Sequence, residues 1–164
     1  MLLAEIPHLR RYAWVLARDR EAADDLTQSC LERALSRFHL WQRDRRLRPW
    51  LFTIMHNLHV NTIRYNASRP KMIPLEQAAI LPTVSAAQES RVEVHKVLAA
   101  IDQLPEEQRA AVVLVGIEEL SYNEAATVLG IPPGTLMSRL HRGRERLREI
   151  LNAIENRPAI RRVK

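Results

Sequence analysis

The densest group of chemically capable side chains lies towards the end of the sequence, where Thr135, Ser138, Arg139, His141, Arg142 and Arg146 follow in close succession. Several of them are three or four residues apart, which places them side by side on a helix surface. Arginine forks match guanine O6 and N7 in a major groove, and a hydroxyl at a helix N-terminus suits a phosphate. A second group is Asn57 and Asn61, one helical turn apart, with Arg64 beyond them and Arg48 before. An asparagine amide carries both a donor and an acceptor, so it can read the Watson–Crick edge of an extruded base, while nearby cations hold the strand's phosphates. The third group, Asp25, Gln28 and Glu32, forms a polar stripe suited to basic side chains on a partner. Each group also has a plainer reading. The arginine run could be a solvated helix paired with Glu145 and Glu149, and the other two could be exposed helix faces.

Enzyme chemistry has little support. No Gly-x-x-x-x-Gly-Lys phosphate loop and no Gly-x-Ser-x-Gly elbow occurs. His56 and His59 stand three apart, but no cysteine or carboxylate nearby completes a metal site, so neither metal nor cofactor is expected. The single cysteine, Cys30, reads as a small apolar core residue and matches a cytoplasmic location.

These groups need rigid helices to carry them. Leu9, Ala13, Leu16 and Ala17 recur at helical spacing in an opening helix, and Ala22, Leu26, Cys30, Ala34 and Phe38 step by four along a second, with Leu31 and Leu35 widening its apolar stripe. After a basic loop over Arg43–Arg46, a third helix is expected to begin near Pro49 and carry Trp50, Leu51, Ile54, Leu58 and Ile63, ending before Pro70. Trp50 reads as core, and Tyr65–Arg69 as a loop beside the base-reading helix. A later helix spans Val92 to Ile101, with Val94, Val97, Leu98 and Ile101 inward, and another follows Pro105 with Glu106 and Glu107 at its positive end.

The strongest local signal is Ser121-Tyr122-Asn123-Glu124, a capping box, followed by Gly130 as a left-handed helix end and a restart at Pro132-Pro133. That pattern is a helix-turn-helix, and it favours the DNA-reading interpretation of the arginine run. Leu136, Leu140, Leu147 and Leu151 mark the buried side of the last helix, and Gly143 falls on that side, where close approach of a neighbouring helix would explain it.

The 164 residues carry 25 Lys and Arg against 19 Asp and Glu, and the net charge of +6 favours nucleic acid or an acidic protein surface as partner. A hydrophobic fraction of 46% builds a core, and 5% aromatic content favours helices over sheets. The longest apolar stretch, Ala110 to Ile117, is too short for a bilayer, so no membrane insertion is expected. Three prolines, Pro70, Pro74 and Pro82, interrupt any helical period. The expected architecture is therefore all-α: two small helical domains, 1–68 and 92–164, joined by a flexible linker over 69–91.

Leu104-Pro105-Glu106-Glu107-Gln108-Arg109, Leu120-Ser121-Tyr122 and Gly134-Thr135-Leu136-Met137-Ser138-Arg139-Leu140 resemble region 4 of bacterial extracytoplasmic-function (ECF) sigma factors of the sigma-70 family. Ala23-Asp24-Asp25-Leu26-Thr27-Gln28 and Arg48-Pro49-Trp50-Leu51-Phe52-Thr53-Ile54 resemble region 2 of the same family. The resemblance implies an alternative sigma factor for promoter-specific transcription initiation, in a stress or envelope-signal response, monomeric when free. It implies docking of Asp25, Gln28 and Glu32 on the beta-prime clamp helices of core RNA polymerase, with further contact to the beta subunit. Minus-ten recognition falls to Arg48, Asn57, Asn61 and Arg64, minus-thirty-five recognition to Thr135, Ser138, Arg139, His141, Arg142 and Arg146, and an anti-sigma factor is an expected partner. Met137 departs from the family, which usually places a basic residue there. A sigma mimic and a stand-alone helix-turn-helix regulator remain as alternatives.

Overall fold

The computed structural model describes residues 1–42, 46–67 and 88–155. Among them are seven α-helices and a short 3-10 turn, with no strand: α1 Leu2–Ala17, α2 Arg20–Ser36, the turn Phe38–Leu40, α3 Leu47–Ala67, α4 Gln88–Asp102, α5 Glu106–Gly116, α6 Tyr122–Leu129 and α7 Pro133–Glu155. The all-α expectation holds.

Local chemistry sets most of the helix ends. Arg18 closes α1 in the left-handed region at φ 56°, and the Asp19 carboxylate accepts from the Ala22 amide at 2.8 Å to start α2. At α6 the capping box is complete: the Ser121 hydroxyl accepts from the Glu124 amide at 3.3 Å, and Glu124 accepts from the Ser121 amide at 2.8 Å. Gly130 then takes φ 63° and α7 begins at Pro133.

Three sequence expectations need correction. In α2 the buried side is Ala23, Thr27, Cys30 and Ala34, whereas Ala22 is exposed and Leu35 is 63% exposed. A step of four overshoots the helical turn by about 40°, so a stripe drawn in fours drifts off the packed face. In α4, which starts before Val92, Val94 and Val97 are exposed, and among the described side chains of this helix Ala100 and Ile101 are the buried ones. Tyr65, Asn66 and Ala67 form the last turn of α3 rather than a loop. Ser68, Arg69, the basic residues 43–45 and the expected linker as far as residue 87 lie outside the described residues, while 88–91 belong to α4.

Helices α1 to α3 pack around Leu9, Tyr12, Cys30, Leu51, Phe52 and Met55, with the Tyr12 and Phe52 rings 4.9 Å apart. Burial pushes the Cys30 thiol up to about 12. Helices α5 to α7 pack around Ala111, Val113, Leu114, Ala125, Val128 and Leu136. These two sets join in one apolar cluster, with α1 against α5 and α3 against α6. The contact is also polar: the buried Arg109 guanidinium donates from Nε across it to the Val15 carbonyl at 3.1 Å, and from Nη1 to the Leu104 carbonyl on its own side at 3.3 Å.

Candidate polymerase and nucleic-acid interfaces

Helix α7 is oriented by its small and apolar residues. Leu136 and Leu140 are buried, and a Cβ on Gly143 would stand 2.8 Å from Val112 Cγ2 and 3.3 Å from Gln108 Cβ, so glycine lets α7 lie close against α5. That packing turns Thr135, Ser138, His141, Arg142 and Arg146 outward, all of them exposed. Arg139 is the exception. It is half-buried, and its Nη2 meets Glu107 Oε2 at 3.0 Å. His141 Nε2 lies 3.4 Å from Glu145 Oε2, and Arg142 and Arg146 share a shallow groove with Glu145 and Glu149. Met137 is half-exposed on the same helix.

On α3, Asn57, Asn61 and Arg64 are exposed along one side. Arg48, expected beside them, is occupied elsewhere: Nε donates to Glu5 Oε2 at 2.7 Å and Nη2 to His8 Nε2 at 3.0 Å. Trp50 is half-buried and stacks edge-on to Phe38 at 6.4 Å, lining with Trp41, Arg46, Thr53, Asn123 and Glu124 a cavity of about 600 Å³ between α3 and α6. His56 and His59 point to different partners, Tyr12 Oη at 3.2 Å and Glu106 Oε1 at 3.2 Å. Burial, then the neighbouring His59, lowers the His56 pKa. On α2, Asp25, Gln28 and Glu32 are all exposed, with Gln28 Nε2 donating to Glu32 Oε1 at 3.0 Å.

The residue that sequence reasoning missed is Glu118. It is 0% exposed in the turn after α5, where Oε2 accepts from His8 Nδ1 at 2.6 Å, Oε1 accepts from Arg11 Nε at 2.6 Å, and Arg48 Nη1 stands 4.0 Å away. Its neighbour Glu119 is exposed. Nothing in Ile117-Glu118-Glu119-Leu120 distinguishes the two carboxylates before the fold is known. A further link joins Arg46 Nη1 to Glu124 Oε2 at 3.3 Å. Partial burial works against ionisation of Glu124, but hydrogen bonds from Ser121 and the charge of Arg46 outweigh it and lower its pKa.

A capped helix-turn-helix with an outward basic helix, coupled to a second helical unit bearing an acidic stripe and an asparagine face, defines a two-part DNA-binding transcription factor. Family matches place its halves: residues 2–56 match the Sigma2 domain of PhyR, and residues 95–147 match Sigma-70, region 4. The chain is 36% identical over 152 residues to the ECF RNA polymerase sigma factor EcfG of Rhodopseudomonas palustris, covering 92% of this chain and 82% of the relative. It is 36% identical over 146 residues to the ECF RNA polymerase sigma factor SigE of Mycolicibacterium smegmatis, covering 86% of this chain and 56% of that protein. Among solved structures, the sigma factor RpoE in complex with the anti-sigma factor NepR from Bartonella quintana matches with a TM-score of 0.76 at 31% identity, over 95% of this chain and 96% of that one. The chain belongs to the ECF sigma factors, and it is an alternative sigma factor.

Proposed function

We propose that this chain docks on core RNA polymerase through Asp25, Gln28 and Glu32, captures the unpaired minus-ten strand with Asn57, Asn61 and Arg64, and reads minus-thirty-five duplex with Thr135, Ser138, Arg142 and Arg146. Arg48 joins the minus-ten strand once it leaves Glu5 and His8, and Arg139 and His141 join the duplex by exchanging Glu107 and Glu145 for DNA. The observation that carries this reading is the orientation of α7, pinned by Leu136, Leu140 and Gly143 so that its basic side faces outward. Residues 1–68 then act as region 2 and 92–164 as region 4, a division supported by the two family matches. Strand opening on this scheme needs no hydrolysis, because capture of unpaired bases shifts the equilibrium towards melted DNA. The protein works without catalytic residue or cofactor, as a cytoplasmic monomer when not on polymerase.

An anti-sigma factor completes the scheme, supported by the complex in which the RpoE relative is bound to NepR. Transcription from a genomic library by cognate core enzyme plus this protein tests the function and reads the promoter together. Specific new transcripts are expected; none from any genomic promoter, with folded protein and active core, would falsify it. The match to the Sigma2 domain of PhyR favours one second reading, a sigma-like interaction partner. Such a protein would bind an anti-sigma factor and yield no transcripts in the same assay.

A further inference from the structure

Met137 is an apolar side chain, 50% exposed, on a helix whose outer surface is otherwise polar and basic. Leu136, Leu140, Gly143 and Leu147 face inward, and at 100° per residue the remaining surface of α7 carries two ridges about 160° apart. One ridge holds Thr135, Arg139, Arg142 and Arg146. The other holds Met137, His141, Arg144 and Arg148, in steps of four, three and four, and all of these are exposed. Among the described residues neither Arg144 nor Arg148 forms an ion pair. Between the ridges, where the helix begins, stand the small residues Gly134 and Ser138. A Cβ on Gly134 would meet nothing within 4 Å, and φ is not positive there, so neither packing nor backbone conformation calls for that glycine. Close approach of something outside the protein does.

A helix about 10–12 Å across fills a major groove about 12 Å wide, and the two walls of that groove are the phosphate backbones of opposite strands. Two basic ridges on opposite flanks, with small residues between them at the leading end, match this cross-section. The first turns of a recognition helix are the part that meets base edges, and Met137 is the fifth residue of α7. Arg144 and Arg148 follow on the same ridge about 10 and 16 Å further along, where phosphates are reached rather than bases. The donors of α7 find an acceptor on thymine O4 as readily as on guanine O6. Thymine is set apart by its C5 methyl, which is read by apolar contact. A protein partner would call for a contiguous apolar patch, whereas the other members of this ridge are His141, Arg144 and Arg148.

We propose that Met137 reads the C5 methyl of a thymine in the minus-thirty-five duplex and is a specificity-determining residue of α7. The inference rests on the proposed duplex reading by α7 and deepens it. In the free protein the side chain leaves apolar surface in water, and contact with the methyl buries both groups. Removing one methyl from such a contact is expected to weaken binding about fourfold. The unbranched thioether adapts to the position of the methyl, and it leans towards the preceding turn, where Gly134 leaves room.

The test is selection from a randomised duplex library made once with thymine and once with uracil, which pairs identically but lacks the methyl. The full chain selects alone and bound to cognate core enzyme. Wild type is expected to prefer thymine at one position about fourfold over uracil, and Met137→Ala to select the same sequences from both libraries. Met137→Leu, still apolar, should keep the thymine preference. Met137→Lys should lose it while steepening the slope of log K against log salt by about 0.9, the mark of an added phosphate contact. An equal thymine preference in wild type and Met137→Ala would overturn the proposal, as would a wild type indifferent to the methyl at every position or selecting no sequence in either form. Transcription by core enzyme separates the two ideas. Specific transcripts without methyl dependence sink the role of Met137 alone, whereas methyl-dependent selection without transcripts sinks the sigma reading and leaves Met137 as a thymine reader.

Discussion

Replacing Gly143 with alanine sets two effects of similar size against each other, and the packing of α7 on α5 decides the sign. Helix propensity alone favours alanine by about 1 kcal/mol. The new methyl carbon, however, would stand 2.8 Å from Val112 Cγ2, with Gln108 Cβ and the Gln108 carbonyl oxygen both at 3.3 Å. Relaxing the first contact to an ordinary carbon separation of about 3.7 Å requires a shift of nearly 1 Å. Valine has no long flexible end to swing aside, and the Gln108 backbone blocks a sideways slip, so the helices must part. Overpacking of this kind costs about 1–3 kcal/mol, leaving a net destabilisation of about 1 kcal/mol and a melting temperature lower by about 2–4 °C. Gly116→Ala is the comparison, because nothing lies within 4 Å of the added carbon and φ is not positive there. It should gain about 0.5–1 kcal/mol, chiefly by restricting the unfolded chain. Calorimetry or urea denaturation of the two variants reads the difference directly. If both move stability in the same direction, close packing at Gly143 is not what positions α7.

Other outcomes follow from the same structure. Leu51→Ala removes a fully buried side chain at the centre of α1–α3 and should cost about 2–5 kcal/mol in urea unfolding; a loss below 1 kcal/mol would show that the site collapses around the gap. Cys30, with its pKa raised to about 12 by burial, should resist a thiol reagent at pH 8 until denaturant opens the domain, and rapid labelling of native protein would contradict its burial. The lowered His56 pKa means that the unfolded chain takes up its proton first as pH falls, so this contribution to stability is complete above about pH 6.5 and lost on acidification. His56→Gln should flatten the stability profile as pH falls below about 6.5, and an unchanged profile would assign that slope elsewhere. Arg142→Ala should weaken promoter binding by about 1–3 kcal/mol and relax preference at one position of the minus-thirty-five element, which a randomised promoter library would detect.

Features set by neighbouring residues were legible in the sequence. The Ser121–Glu124 box, the left-handed Gly130 and the close approach at Gly143 each rest on a few adjacent positions or on one helix face, and each is present in the fold. The outward presentation of Asn57, Asn61, Ser138, Arg142 and Arg146 follows from the same periodicity. The association of the two halves was not legible, because it joins residues 47 to 110 positions apart: Arg11 and Glu118, for example, are separated by 107. Helical period says which side of a helix is apolar, yet a buried carboxylate looks like an exposed one until its cations are placed. Arg48 illustrates the same limit, since its position shortly before Asn57 and Asn61 suggested a phosphate contact but gave no sign of Glu5, His8 or Glu118.

Arg109 has a consequence of a different kind. Its guanidinium bonds the carbonyls of Asp102 and Leu104 within the C-terminal half, and that of Val15 in α1. The first two hold the turn before α5, and the third ties α5 to α1. A substitution there would act twice: once on the turn that launches α5 and once on the seam between α5 and α1. Lysine, with a single point of charge, cannot reproduce a fork that spans both halves. Mutational tolerance at this position would therefore be set by two packing sites together, and considering either alone would underestimate how strongly arginine is required.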